Sequence, residues 1–359
     1  MIGGIIETVI QIVGVLILAP LVQGIYENLK AKTESRKGPP VLQPYYDLFK
    51  YLKKERNTTI TGGGIYRLAP YLVFSIFFTI SFVIPVVIPE PTDFAPMVDF
   101  LGGAMLFSLA SVILIIAALD SGSNYSALGA SRSATFSALA EPTLILVFFA
   151  VAIQTGTNNP YITNESIANS FPTYLSLTHI LSMIAFFMIF LFETGKLPLE
   201  SSGLSEMGMI DEGRVFEYGG RDLFLIKESA WMKQYLLGSV LLNVFLFPWF
   251  MQNSVLGAIE DIPIMIAKWI FLILIVIFIE QSLAKVRLFK IADYLAVSFT
   301  LAIFSVVIFV LGGLVWIGES IHNIHLKKSS NHLLQVFSFK RFRYKNSRNN
   351  NKHNFFKHQ

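Results

Sequence analysis

Runs of about 20 apolar residues, broken by short polar stretches, recur along nearly the whole chain. This pattern leaves little choice of solvent, because about 20 apolar residues in a helix cross a hydrocarbon core roughly 30 Å thick. Of 359 residues, 53% are hydrophobic and 14% charged, whereas a soluble domain is about a quarter charged. The expected fold is therefore an all-α polytopic membrane protein. Eight spans are expected, at about 2–25, 66–89, 98–119, 133–154, 174–193, 232–252, 263–283 and 293–317. Met1 to Gly24 reads as the first span and not as a secretory leader, since it carries Glu7 and has no basic start or AxA site.

Charge gives the chain a direction. Eighteen Lys and Arg fall in loops 26–67, 120–133, 194–233 and 284–292, while Lys268 alone falls toward the other side. Basic loops stay cytoplasmic, so the main loops are expected inside and the N-terminus outside. Residues 1–318 form one expected transmembrane domain. Residues 319–359 form a basic tail whose Asn- and Lys-rich composition suits disorder. Nucleic-acid binding finds no support.

The chain has no cysteine, which excludes disulfides, thiolate zinc sites and cysteine-ligated iron–sulfur clusters. His179 is the one histidine before residue 320. It reads as a hydrogen-bonded structural group, and no paired-His metal pattern exists. Any redox metal is expected in another chain. Two loop segments look ordered. "QPYYDLFKYLKKE", Gln43–Glu55, sets Tyr45, Leu48, Phe49 and Leu52 at helical spacing and predicts an amphipathic helix at the membrane surface. The "TGGGIY" segment lacks the strand and lysine of a phosphate loop and reads as a turn.

The fourth span contains an anomaly. Glu141, with Pro142 behind it, lies eight residues into the run, about 12 Å deep. A carboxylate at the centre of a lipid-facing helix costs about 2.5–3.5 kcal/mol, so such groups face protein or water. Ser133, Ser137 and Glu141 are spaced by four and form one polar stripe. Arg132 lies out of phase with Glu141 on that helix. Pro142 takes away the NH that would bond the Ala138 carbonyl. Two readings remain: the proton-accepting end of a half-channel, or a structural acid bonded to a neighbouring helix. Glu193 and Glu280 end the fifth and seventh spans, and for Glu280 an interfacial pair with Lys285 or Arg287 is an equal explanation. Glu193 to Asp222 is the densest acidic stretch, holding Glu193, Glu200, Glu206, Asp211, Glu212, Glu217 and Asp222 against Lys196, Arg214 and Arg221. Its Met, Leu and Phe content points to partial burial, where neighbouring carboxylates raise one another's pKa.

Five segments carry a family likeness: "KGPPVLQPYYDLFKYLKKE", "SNYSALGASRSATFSALAEP", "ETGKLP", "EMGMIDEGRVFEYGGRDL" and "EQSLAKVRLFK". Together they resemble the subunit 1 or H subunit family of respiratory complex I. The resemblance is nearer to the branch found in membrane-bound nickel–iron hydrogenases, the formate hydrogenlyase subunit 4 type, and it covers about residues 1–317. It implies a non-catalytic membrane anchor that couples redox chemistry in a docked peripheral arm to proton or sodium movement. Expected partners are hydrogenase-like large and small subunits, antiporter-like membrane subunits and lipid. Fe–S and Ni–Fe centres are expected in those partners and none in this chain.

By the same resemblance, Arg132, Glu141, Glu193, Glu206, Glu212, Glu217 and Glu280 belong to an ion path. Gly38, Pro39, Lys196, Asp211, Arg214 and Arg221 belong to the docking face. Lys196 stands where the family often has Arg, and Ser202 where a Pro is expected. No role is carried onto Glu228. An alternative is the quinone-site H subunit of an NADH:quinone oxidoreductase-like complex. A self-contained ion-coupled transporter would show an internal repeat, and none is evident.

Overall fold

A computed structural model describes residues 2–56, 59, 61–84, 99–197, 211–249, 255–282 and 290–312. All regular structure among them is helical. In chain order the helices are α1 (Ile2–Thr33), α2 (Gln43–Lys53), α3 (Gly64–Val83), α4 (Phe100–Asp120), α5 (Asn124–Thr155), α6 (Pro160–Asn169), α7 (Phe171–Tyr174), α8 (Leu177–Glu193), α9 (Asp211–Val215), α10 (Gly220–Val240) and α11 (Val255–Ser282). A π-helical stretch, Leu241–Leu246, continues α10, and α12 covers Lys290–Gly312.

Six of these helices, α1, α3, α4, α5, α11 and α12, are long and apolar enough to cross a membrane. Among the described residues six is the number found, against eight expected. The segment expected as the fifth span is the shorter, 17-residue α8, and that expected as the sixth falls on the end of α10 and the π stretch. Large apolar side chains line the outside of the bundle, including Met105, Leu109, Phe271, Leu274 and Phe278. Lipid takes the place of water on that surface.

Local chemistry explains where the helices begin and end. Asp99 caps α4 by accepting from the Leu101 amide, Asn159 caps α6 ahead of Pro160, and Ser176 caps α8 by accepting from the His179 amide. Gly156, at φ 69°, ends α5 in the left-handed conformation. α5 starts at Asn124, not near 133 as expected. The polar "NYSALGASR" stretch is helical because Ser126, Gly129 and Ala130 are buried, and a Cβ on Gly129 would press on the α9 backbone at Gly213. α5 also runs on through Pro142, which withdraws one backbone hydrogen bond without ending the helix.

The interior mixes apolar packing with hydroxyl staples. Phe148, Phe186, Phe245 and Trp269 fill the bundle. Trp269 stacks on Tyr235 with ring centroids 5.3 Å apart. α12 is tied to α8 by Tyr294, Ser298 and Ser305, which donate to the carbonyls of Met188, Ala185 and Thr178. Small polar residues let helices approach closely where no water drives them together. α2 lies against α1 and α10 with Leu48 buried, while Tyr46, Phe49 and Leu52 remain exposed. That is the expected amphipathic arrangement.

Gly220 has φ 56° and sits where a Cβ would collide with the Glu55 carbonyl. Gly220→Ala is expected to cost about 2 kcal/mol from handedness and crowding together. The midpoint of thermal inactivation of the detergent-purified protein measures this, and an unshifted midpoint would refute it.

Candidate functional site

Two groups of buried charge stand at the end of the bundle to which α2 belongs. The first is built by α4, α5, α8 and α10. Glu193, the last residue of α8, forms an ion pair with Lys233 of α10, and both side chains are largely buried. Glu141 of α5 feels the charges of Glu193 and Lys233 and is hydrogen-bonded with Ser111 of α4. The Ser111 hydroxyl also lies 3.3 Å from that of Ser137. The polar stripe predicted on α5 thus continues across to a neighbouring helix. Glu141 keeps one oxygen that has no hydrogen-bond partner among the described residues. Lys233 is paired with Glu193, and Glu141 lies near enough to feel both charges.

The second group is built by α1, α11 and the residues that follow α8. Glu280 pairs with Lys30 and accepts from the Tyr26 hydroxyl at 2.6 Å. Among the described residues the partners of Glu280 are on α1; Lys285 and Arg287 lie outside the described residues. Lys196 sits over the Tyr26 ring, 3.4 Å from its centroid, and donates to the Gln23 carboxamide oxygen at 3.3 Å. Gln23 in turn donates to Glu27 at 2.7 Å. Lys196 is 7% exposed and lies among residues of this chain. Burial, the leading cause, brings its amine down to about 7 against the opposing pull of Glu280.

The other expected residues are spread out. Glu212 and Arg221 are exposed, and Glu217 and Arg214 are partly buried. Asp211 opens α9, and Glu206 lies outside the described residues. Arg132 is partly buried on α5. Gly38 and Pro39 fold back on α1, where Asn28 donates to the Pro39 carbonyl at 2.7 Å. A small clasp holds this face together. Arg56 pairs with the buried Asp222 at 2.6 Å, Tyr66 stacks on Tyr218, and their hydroxyls bond the Glu217 and Tyr66 carbonyls. Asp222 raises the Arg56 pKa chiefly through that hydrogen bond.

Sequence reasoning gave no role to Lys233, Ser111, Tyr26 or Glu228. Glu228 of α10 is 4% exposed, and one of its oxygens has no partner among the described residues. Burial pushes its carboxyl up to about 8. From about pH 4.5 to about pH 8 the folded chain holds a proton that the unfolded chain releases, so stability falls as pH rises, by up to about 1.4 kcal/mol per pH unit. Glu228→Gln is expected to flatten that slope in thermal inactivation measured across pH; an unchanged slope would refute the burial argument.

At the other end of the bundle, polar groups gather the carbonyls released by the π stretch. His179 donates to Phe245, Tyr174 to Leu246, and Lys268 to Phe247, Trp249 and the Asn243 side chain. His179 is the structural histidine the sequence suggested. Among the described residues no three His, Cys, Asp or Glu side chains gather to hold a metal.

Six helices able to cross a membrane, with ion pairs buried among them, define the class: a multi-pass membrane protein. Residues 6–311 match the NADH dehydrogenase family, and the chain belongs to that family. It is 29% identical over 281 residues to formate hydrogenlyase subunit 4 of Escherichia coli, covering 78% of this chain and 90% of the relative. It is 27% identical over 303 residues to hydrogenase-4 component C of the same organism, covering 84% and 95%. The fold is similar to a chain of the membrane-bound sulfane sulfur reductase, an archaeal respiratory membrane complex, with TM-score 0.72 at 20% identity, covering 85% of this chain and 99% of that one.

Proposed function

We propose that this chain is the membrane anchor and energy-coupling subunit of a hydrogenase-like respiratory complex in the cell membrane, with its main loops cytoplasmic. The observation that carries the reading is the charge cluster of Glu141, Glu193 and Lys233, held by three different helices. Such a set stores or releases a proton when a nearby charge changes. Electron transfer runs in docked large and small subunits that hold the metal centres. The charge change it produces reaches Glu193 and Glu141 and is passed to antiporter-like membrane subunits, which move H⁺ or Na⁺. The lack of cysteine in this chain and its likeness over most of its length to subunits of formate hydrogenlyase and hydrogenase-4 support this division of labour.

Purification of the native complex through a tag on this chain tests the reading. The expected result is a co-purifying large subunit with four nickel-ligating cysteines and stoichiometric nickel. A nickel-free partner without those cysteines would replace the reading with the quinone-reducing one. Ion transport by this chain alone in liposomes would overturn both.

A further inference from the structure

Lys196 belongs to the second charged group, on the Tyr26 side of Glu280. It follows Glu193 by three residues, and its Nζ rests on the ring whose hydroxyl binds Glu280. Its polar partners do not neutralise it: it has an aromatic face at 3.4 Å and one carboxamide oxygen at 3.3 Å. The nearby carboxylates are otherwise engaged. Glu280 is held by Lys30 and Tyr26, Glu193 by Lys233, and Glu27 by Gln23. The charges that act on Lys196 are Glu280 from α11 and Lys30 and Glu27 from α1. Among the described residues no carboxylate pairs directly with Lys196, so desolvation disfavours its ammonium and the amine shifts its pKa readily.

We propose that Lys196 is an exchangeable proton site within the Tyr26–Glu280 group and adjusts how tightly electron transfer is coupled to ion movement. The inference rests on the coupling role given above. Charged, the amine holds the Tyr26 ring and with it the Tyr26–Glu280 hydrogen bond. On release an Nζ–H bond breaks and the proton passes to solvent on the side of Gln23 and Glu27, both of which are partly open. The neutral amine loses the cation–π attraction, and Tyr26 is freed. One proton moves and no electron does. A guanidinium at this position would stay charged at every working pH.

The test is the number of ions moved per electron pair by the intact complex in sealed vesicles, followed through the neutral range. In the native complex coupling is expected to change severalfold across neutral pH, where burial places the amine near 7. Lys196→Arg is expected to hold the acid-side value throughout, and Lys196→Met the alkaline-side value. Superimposable native and Arg profiles would make Lys196 a fixed structural cation and overturn the proposal. Should the Arg variant fail to assemble, Tyr26→Phe keeps the ring and removes the link to Glu280; it is expected to flatten the profile, and an unchanged profile would overturn the proposal. Glu141→Gln separates the two claims. If that variant stays fully coupled, the coupling reading itself falls. If it uncouples while native and Lys196→Arg profiles superimpose, only the role of Lys196 falls.

Discussion

Glu141→Gln is expected to leave the complex assembled and transferring electrons while ions moved per electron pair fall at least about tenfold, as for loss of a positioned proton-transfer group. Gln has nearly the shape of Glu and can still hydrogen-bond with Ser111, so packing in α5 survives. What it lacks is an exchangeable proton. Glu193 stays paired with Lys233, but the second acid is gone, and the two-acid, one-cation arrangement is lost. Parallel assays of electron transfer and ion uptake in sealed vesicles check this. Normal ion uptake would return Glu141 to the role of a structural acid.

Lys233→Met is expected to have the largest effect on assembly. Glu193 is 12% exposed and Lys233 is its ion-pair partner. Removing one member of a buried pair leaves an uncompensated charge and costs about 3–5 kcal/mol, a large share of the stability of a typical domain. The double variant Lys233→Met with Glu193→Gln removes both charges and is expected to recover most of the loss. The yield and thermal inactivation of the purified complex measure it. If both variants assemble like the native protein, the pair is not holding α8 to α10.

The membrane fold was legible because lipid imposes one rule on every span: long apolar runs with internal hydrogen bonding. α1, α3, α4, α5, α11 and α12 follow it. α10 lacks the apolar signature of the six because many of its residues are buried against protein, Asp222 and Glu228 among them. The π stretch left no mark in the residues. It depends on His179, Tyr174 and Lys268, which come from other parts of the chain to take its carbonyls.

The acids of the site could be named from sequence because a carboxylate in an apolar run is conspicuous. Their partners could not. Lys30 lies 250 residues from Glu280, and Lys233 lies 40 from Glu193. Ser111 resembles any small helix residue until α4 packs on α5. The resemblance alone suggested a docking role for Lys196, and its contact with the Tyr26 ring, made by the turn after α8, left no mark in the sequence. Glu228 showed no periodic or motif signal, and burial alone singles it out.

In the proposed coupling, carboxyl protonation in this chain follows the redox state of its partners. Redox-triggered infrared difference spectroscopy of the purified complex observes that step directly. A carboxylic-acid C=O band is expected that changes on reduction and disappears from the difference spectrum in Glu141→Gln. A difference spectrum with no carboxyl band, or one identical in the variant, would contradict it.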